Sequence, residues 1–317
     1  MKLKLTVLTI LVALLTALSV YGVYGNPGKK PGSAAPVNLG SFSEKKFNSQ
    51  AAYILPVTEP NNFPIRHAAV VDPVIAAKSY LLFETKTGKT ILSADAKQPL
   101  PIASLTKLLT ALIVLEDLSM DEILTVDEAS RNIDKEGADF YLGEKIYVKD
   151  VLGTMLVKSS NDAAVILAKA VEAKSGGKFI DRMNRKAYEI GMINSSFFDP
   201  AGLDDSGYSN AEDLLRLVQY SKRHVELWRL LRLPAIEVRS TDGQLVHNFA
   251  STNKLFDTFP DLVGGKTGYT DGALGCMILE VKTGNSGSLL AIVIGSSSRF
   301  DDARKLIEWG QTAFRWE

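Results

Sequence analysis

The sequence has one cysteine, Cys276, and three histidines, His67, His224 and His247. A single cysteine excludes an intrachain disulfide, a cysteine metal cluster and a lipid-attachment cysteine near the N-terminus. No histidine or asparagine partner is placed for it, so Cys276 reads as a small buried hydrophobe and not as a nucleophile. The histidines are scattered. Neither G-x-S-x-G nor H-E-x-x-H accompanies them, which disfavours a Ser-His-Asp hydrolase and a zinc peptidase. An excess of charge of either sign is also missing, with 36 basic and 36 acidic residues. A nucleic-acid partner usually requires a basic patch, and none is evident. No metal and no cofactor is called for.

Of the 317 residues, 46% are apolar and 23% charged, a globular composition with room for one large domain or two small ones. Lys2 and Lys4 precede twenty uncharged residues, Leu5 to Tyr24. A helix of that length spans roughly 30 Å, the thickness of a bilayer core. We read residues 1–25 as an N-terminal membrane anchor, with a signal peptide as the alternative. Either way the remainder is exported, to the outer face of the cytoplasmic membrane. Residues 26–72 are rich in proline and glycine, as in "NPGKKPGSAAP", and read as a linker.

From residue 73 to 317 the text becomes domain-like. "SYLLFETKTGKTIL" reads as strand, tight turn, strand. "SLTKLLTALIVLED" follows Pro101 and has a helical pattern. "VKDVLGTMLV" and "SNDAAVILAKAVEA" read as two helices broken near Ser159, and "GKFIDRMNRKAYEIGM" as a third, closed by Gly191. Asn210 is a plausible N-cap for "NAEDLLRLVQYSKR". "ALGCMILEVKTGNSGSLLAIVIGSS" reads as two buried strands around a turn, and "FDDARKLIEWGQTAF" as a last helix. This order predicts an α/β (α+β) fold: a mixed, antiparallel sheet flanked by the first and last helices, with an all-helical lobe inserted.

The triplet K-T-G occurs at 86–88, 266–268 and 282–284. The first and last each lie between two strand-like runs, where glycine serves a hairpin turn. Lys266-Thr267-Gly268 follows Gly264 and Gly265 and lies within a strand. Small residues there allow close backbone approach, as when a peptide pairs with a strand edge. S-x-x-K occurs four times, but only Ser104/Lys107 opens a strongly apolar helix. At i and i+3 the two side chains share a face, and the helix N-terminus favours developing negative charge. Burial and a second cation lower a lysine's pKa, and a neutral lysine can take the serine proton. S-x-N occurs at 130–132, 159–161 and 251–253. Ser159/Asn161 sits at a helix–helix junction, where it can face the first helix across a cleft.

Taken in order, Ser104/Lys107, Ser159/Asn161 and Lys266/Thr267/Gly268 match the motif trio of penicillin-binding proteins and serine β-lactamases. "PIASLTKLLTALIVLE", "LVKSSNDAAVILAKAV", "STNKLF" and "LVGGKTGYTDGALG" resemble the D-alanyl-D-alanine carboxypeptidase branch, over roughly 75 to 316. The resemblance implies the β-lactamase/transpeptidase-like fold and a peptidoglycan stem peptide ending in D-Ala-D-Ala as substrate. It also implies β-lactam antibiotics as covalent inhibitors. By similarity Ser104 is the nucleophile, Lys107 the general base, and Ser159 the proton relay to the leaving amine, assisted by Lys266. Asn161 would hold the substrate amide. Thr267 and Arg299 would bind the terminal carboxylate. The backbone N–H groups of Ser104 and Tyr269 would form an oxyanion hole, worth about 3–4 kcal/mol per donor.

The alternatives are an endopeptidase cutting cross-links, a non-catalytic penicillin-binding protein and a β-lactamase. The last is disfavoured because no E-x-x-x-N precedes Lys266 in the loop where class A enzymes hold their water. Many family members carry a further C-terminal β-rich domain, whereas only 49 residues follow Gly268. Membrane attachment is therefore assigned to residues 5–24.

Overall fold

The computed structural model describes residues 64–133, 139–284 and 287–315. Its strands are β1 (Ile65–Arg66), β2 (Ser79–Glu84), β3 (Lys89–Ala94), β4 (Ile123–Thr125), β5 (Lys145–Tyr147), β6 (Ala235–Arg239), β7 (Val246–Ala250), β8 (Leu262–Thr270), β9 (Leu274–Thr283), β10 (Gly287–Ser296) and β11 (Phe314–Arg315). Its helices are α1 (Lys107–Asp117), α2 (Val148–Val157), α3 (Asn161–Ser175), α4 (Phe179–Glu189), α5 (Ala211–Ser221), α6 (Val225–Leu231) and α7 (Arg299–Ala313).

Five strands form one sheet in the order β3-β2-β10-β9-β8, and every pairing in it is antiparallel. The sequence explains why both faces of this sheet are covered. Along β10, Leu289, Ala291 and Val293 pack with Ala303, Leu306 and Ile307 of α7. The alternate residues Leu290, Ile292 and Ile294 join the second core, with Leu108, Leu112 and Ile113 of α1. Strand side chains alternate between faces, so an unbroken apolar run is what a strand buried on both sides requires. Gly310 of α7 lets the helix sit close, since a Cβ there would meet the side chains of Leu289 and Leu82.

Between β3 and β8 the chain builds the helical lobe, with α1 at its centre. Leu109, Leu112 and Ile113 are fully buried against α2, α3 and α4. Asn210 caps α5, its side chain accepting from the Asp213 N–H at 2.8 Å. Gly88 and Gly284, in the two outer K-T-G triplets, have φ of +71° and +29°, and each lies beyond a strand end.

Ile65–Arg66, placed by the sequence in the linker, pairs with Phe314–Arg315 beside the last helix. The Trp309 indole N–H also donates to the Val71 carbonyl at 3.0 Å. Among the described residues no helix is long and apolar enough to cross a membrane. The apolar segment Leu5–Tyr24 lies outside the described residues.

Candidate active site

Ser104 lies in a 3-10 turn, Ala103–Thr106, that runs directly into α1. The sequence reading had it on the α-helix itself. In a 3-10 turn side chains at i and i+3 eclipse, which brings Lys107 over Ser104. The Lys107 Nζ lies 2.7 Å from Ser104 Oγ. It also donates to Asn161 Oδ1 at 2.5 Å and to the Ala201 carbonyl at 2.9 Å. Lys107 is fully buried, so these contacts replace its water.

The loop carrying Ala201 is wound around one carboxylate. Asp199 Oδ1 accepts from the N–H groups of Ala201 and Gly202, both at 2.6 Å, and Oδ2 from Asp204 N–H at 2.8 Å. Thr110 of α1 donates to the neighbouring Pro200 carbonyl at 2.7 Å. Gly202 has φ +79°, and a Cβ on it would run into the Ala103 carbonyl. Only glycine meets both conditions, and the close approach sets the loop against the Ser104 turn.

Ser159 has φ +67°, a conformation that costs a residue with a side chain roughly 1–2 kcal/mol. The cap of α3 is its neighbour Ser160, whose hydroxyl accepts from Ala163 N–H at 3.0 Å. Ser159 is therefore not spent on capping. Its Oγ accepts from Lys266 Nζ at 2.6 Å. In the first turn of α3, Asp162 accepts from the backbone N–H groups of Asn132, Ile133 and Asp139. That buried carboxylate ties Asn132, Ile133 and Asp139 to the Ser159 turn.

Lys266, Thr267, Gly268 and Tyr269 lie on β8, the edge strand of the sheet. Gly268 is packed against the Ser104 turn: a Cβ there would come within 2.9 Å of Ser104 N and 3.1 Å of the Ala103 Cβ. Lys266 is buried and also donates to the Thr267 carbonyl at 2.8 Å. Its pKa lies well below the ordinary lysine value, first through burial and then through the nearby charges of Lys107 and Arg299. The Thr267 hydroxyl is 2.6 Å from that of Thr252.

Arg299 opens α7, with its guanidinium 5.7 Å from the ring of Tyr269 and 4.7 Å from that of Phe300. Among the described residues its buried Nε has no hydrogen-bond partner, and burial lowers its pKa. The Tyr269 side chain is exposed. Cys276 is fully buried on β9, and burial pushes its thiol up to about 11, which leaves it an inert hydrophobe.

The fold thus forms two neighbouring hydrogen-bonded sets, Ser104–Lys107–Asn161 and Ser159–Lys266, with Thr267 and Gly268 beside Lys266 on the same strand. It adds groups the sequence reading missed. Asp199 and the Ala201 carbonyl act through the backbone, for which residue type is no guide. Thr252 sits in the third S-x-N match, "STN" at 251–253, set aside in favour of 159–161.

Two serines and two buried lysines beside an edge strand are the parts that a serine acyl-transfer site needs. The D-alanyl-D-alanine carboxypeptidase family model matches residues 66–298, and the chain belongs to that family. It is 32% identical over 229 residues to D-alanyl-D-alanine carboxypeptidase DacF of Bacillus subtilis, a match covering 70% of this chain and 58% of that protein's length. It is 33% identical over 249 residues to the D-alanyl-D-alanine endopeptidase of Escherichia coli, covering 76% and 79% respectively. The ampicillin-bound structure of penicillin-binding protein D2 from Listeria monocytogenes superimposes with a TM-score of 0.64. That alignment has 28% identity and covers 76% of this chain and 99% of that one.

Proposed function

We propose that this protein is an exported serine-type D-Ala-D-Ala carboxypeptidase, held at the outer face of the membrane by residues 5–24. It removes the terminal D-alanine from peptidoglycan stem peptides. The observation that carries this reading is the set of partners of Lys107. Asn161 Oδ1 and the Ala201 carbonyl are both acceptors. Together they hold its nitrogen beside Ser104 Oγ, where a neutral amine can take the hydroxyl proton.

Ser104 Oγ gives its proton to Lys107 and attacks the carbonyl between the two D-alanines. The N–H groups of Ser104 and Tyr269 hold the oxyanion. The C–N bond breaks, and the leaving amine takes the proton that Lys107 gained, relayed through the Ser159 hydroxyl, which Lys266 orients. Asn161 holds the substrate amide, and Thr267 and Arg299 bind the terminal carboxylate. Water then attacks the acyl-enzyme and gives a proton to Lys107, which returns it to Ser104 Oγ as the ester bond breaks and the shortened peptide leaves. β-Lactams acylate the same oxygen.

A second reading is a DD-endopeptidase of the same mechanism. It is favoured by the endopeptidase-named relatives, of whose length the match covers 78% and 79%. The deciding experiment gives the enzyme a pentapeptide and a cross-linked dimer side by side. Faster release of free D-alanine from the pentapeptide upholds the carboxypeptidase. Faster cleavage of the dimer establishes the endopeptidase.

A further inference from the structure

Away from the Ser104 cluster, the loop before β5 and the tip of the β6–β7 hairpin enclose a cleft of about 600 Å³. That volume lies within the range of small-ligand sites. Its lining combines apolar and hydrogen-bonding groups: Tyr141, Leu142, Lys145, Ser240, Thr241 and Asp242. Tyr141 and Leu142 are each 60% exposed, large apolar groups that the fold leaves in water.

The wall bearing Tyr141 is built rigidly. Glu144, with a fully buried side chain, accepts from the Tyr141 backbone N–H at 2.9 Å and pairs with His247 Nε2 on the hairpin at 2.8 Å. His247 stacks on Phe249 with centroids 5.8 Å apart, and Phe140 meets both rings edge-on. The Thr241 N–H donates to the Lys145 carbonyl at 2.8 Å, closing the far side. An exposed aromatic face beside the hydrogen-bonded Ser240 hydroxyl and Asp242 carboxylate and the Lys145 ammonium suits a sugar ring, whose C–H face packs on the ring while its hydroxyls and amide are hydrogen-bonded.

The distance to the reaction centre follows from two elements. The cleft adjoins the start of α2, and Ser159 lies just past its end, so the ten-residue helix separates them by about 15 Å. Independently, β7 runs from the cleft to Ser251 and Thr252, and its five residues span about 17 Å. A stem peptide has four residues between the scissile carbonyl and the sugar that carries it, about 14 Å when extended.

We propose that this cleft is a subsite for the N-acetylated amino sugar to which the stem peptide is joined, so that the enzyme prefers glycan-borne stem peptides to free ones. The proposal rests on the D-Ala-D-Ala reading above.

The test compares D-alanine release from free pentapeptide and from N-acetylmuramoyl-pentapeptide, using wild type, Tyr141→Ala and Tyr141→Trp. The expected wild-type KM is about tenfold lower for the sugar-bearing substrate. Tyr141→Ala loses that advantage and keeps its rate on free pentapeptide, and Tyr141→Trp retains the advantage. Equal KM values in wild type, or an advantage that survives Tyr141→Ala, overturn the subsite. No turnover of either substrate counts against the D-Ala-D-Ala reading instead. The cleft is then read by saturation-transfer NMR with N-acetylmuramoyl-dipeptide. A signal lost in Tyr141→Ala upholds the subsite, and no signal from wild type overturns it.

Discussion

The Lys107 side-chain nitrogen lies 2.9 Å from the carbonyl oxygen of Ala201, 94 residues further along the chain. That carbonyl is held in place by Asp199, which binds the N–H groups on either side of the turn. Asp199→Ala is expected to lower the rate of acylation by a β-lactam at least tenfold while the protein stays folded. Asp199→Asn, which keeps one acceptor oxygen, should recover part of the loss. Stopped-flow acylation with a reporter cephalosporin reads both. An unchanged rate in Asp199→Ala would remove the carboxylate from the account.

Gly202 meets two constraints at once, a positive φ and contact with the Ala103 carbonyl. Gly202→Ala violates both and should destabilise the domain by more than about 2 kcal/mol. Urea unfolding measures this, and a loss below about 0.5 kcal/mol would contradict the close packing.

Ser159 is strained for the sake of its hydroxyl. Ser159→Gly relieves the backbone and should be more stable than Ser159→Ala by about 1 kcal/mol. Both variants should lose acylation by a similar factor, on the order of a hundredfold. If Ser159→Gly kept wild-type acylation, the relay role would fail.

Lys266 carries a pH signature. Its pKa in the folded state is depressed, so between that value and the unfolded lysine's 10.5 the unfolded chain binds more protons. Stability must then rise with pH across that window and level off above it. Lys266→Met removes this slope and should melt a few degrees higher than wild type at neutral pH, with the gap closing toward pH 10.5. It should also be acylated far more slowly. Calorimetry over a pH series checks the sign. A variant that melts lower at neutral pH would show Lys266 to be stabilising in its charged form.

The parts legible in the sequence were those in which residue type alone sets the outcome. β9 and β10 were visible as apolar runs because both their faces are covered. The Asn210 cap was visible because an asparagine before an amphipathic helix has one evident use. The trio was visible because order and local context reject the decoys.

Other parts depend on tertiary contact. The β6–β7 hairpin alternates between exposed and more buried residues, but each strand has only five residues, too short a run to stand out. The choice between Ser159 and Ser160 as cap is decided by backbone conformation, which two adjacent serines do not reveal. The Ala201 carbonyl reaches Lys107 only because Gly202 lets its loop close on Ala103.

The central claim is that Ser104 is the acylated nucleophile. Intact-mass spectrometry after incubation with a penicillin tests it directly, with wild type and Ser104→Ala compared. The account predicts one penicilloyl adduct on the wild type and none on Ser104→Ala. An adduct of equal yield on both would place the nucleophile elsewhere, and no adduct on the folded wild type would contradict the acyl-enzyme itself.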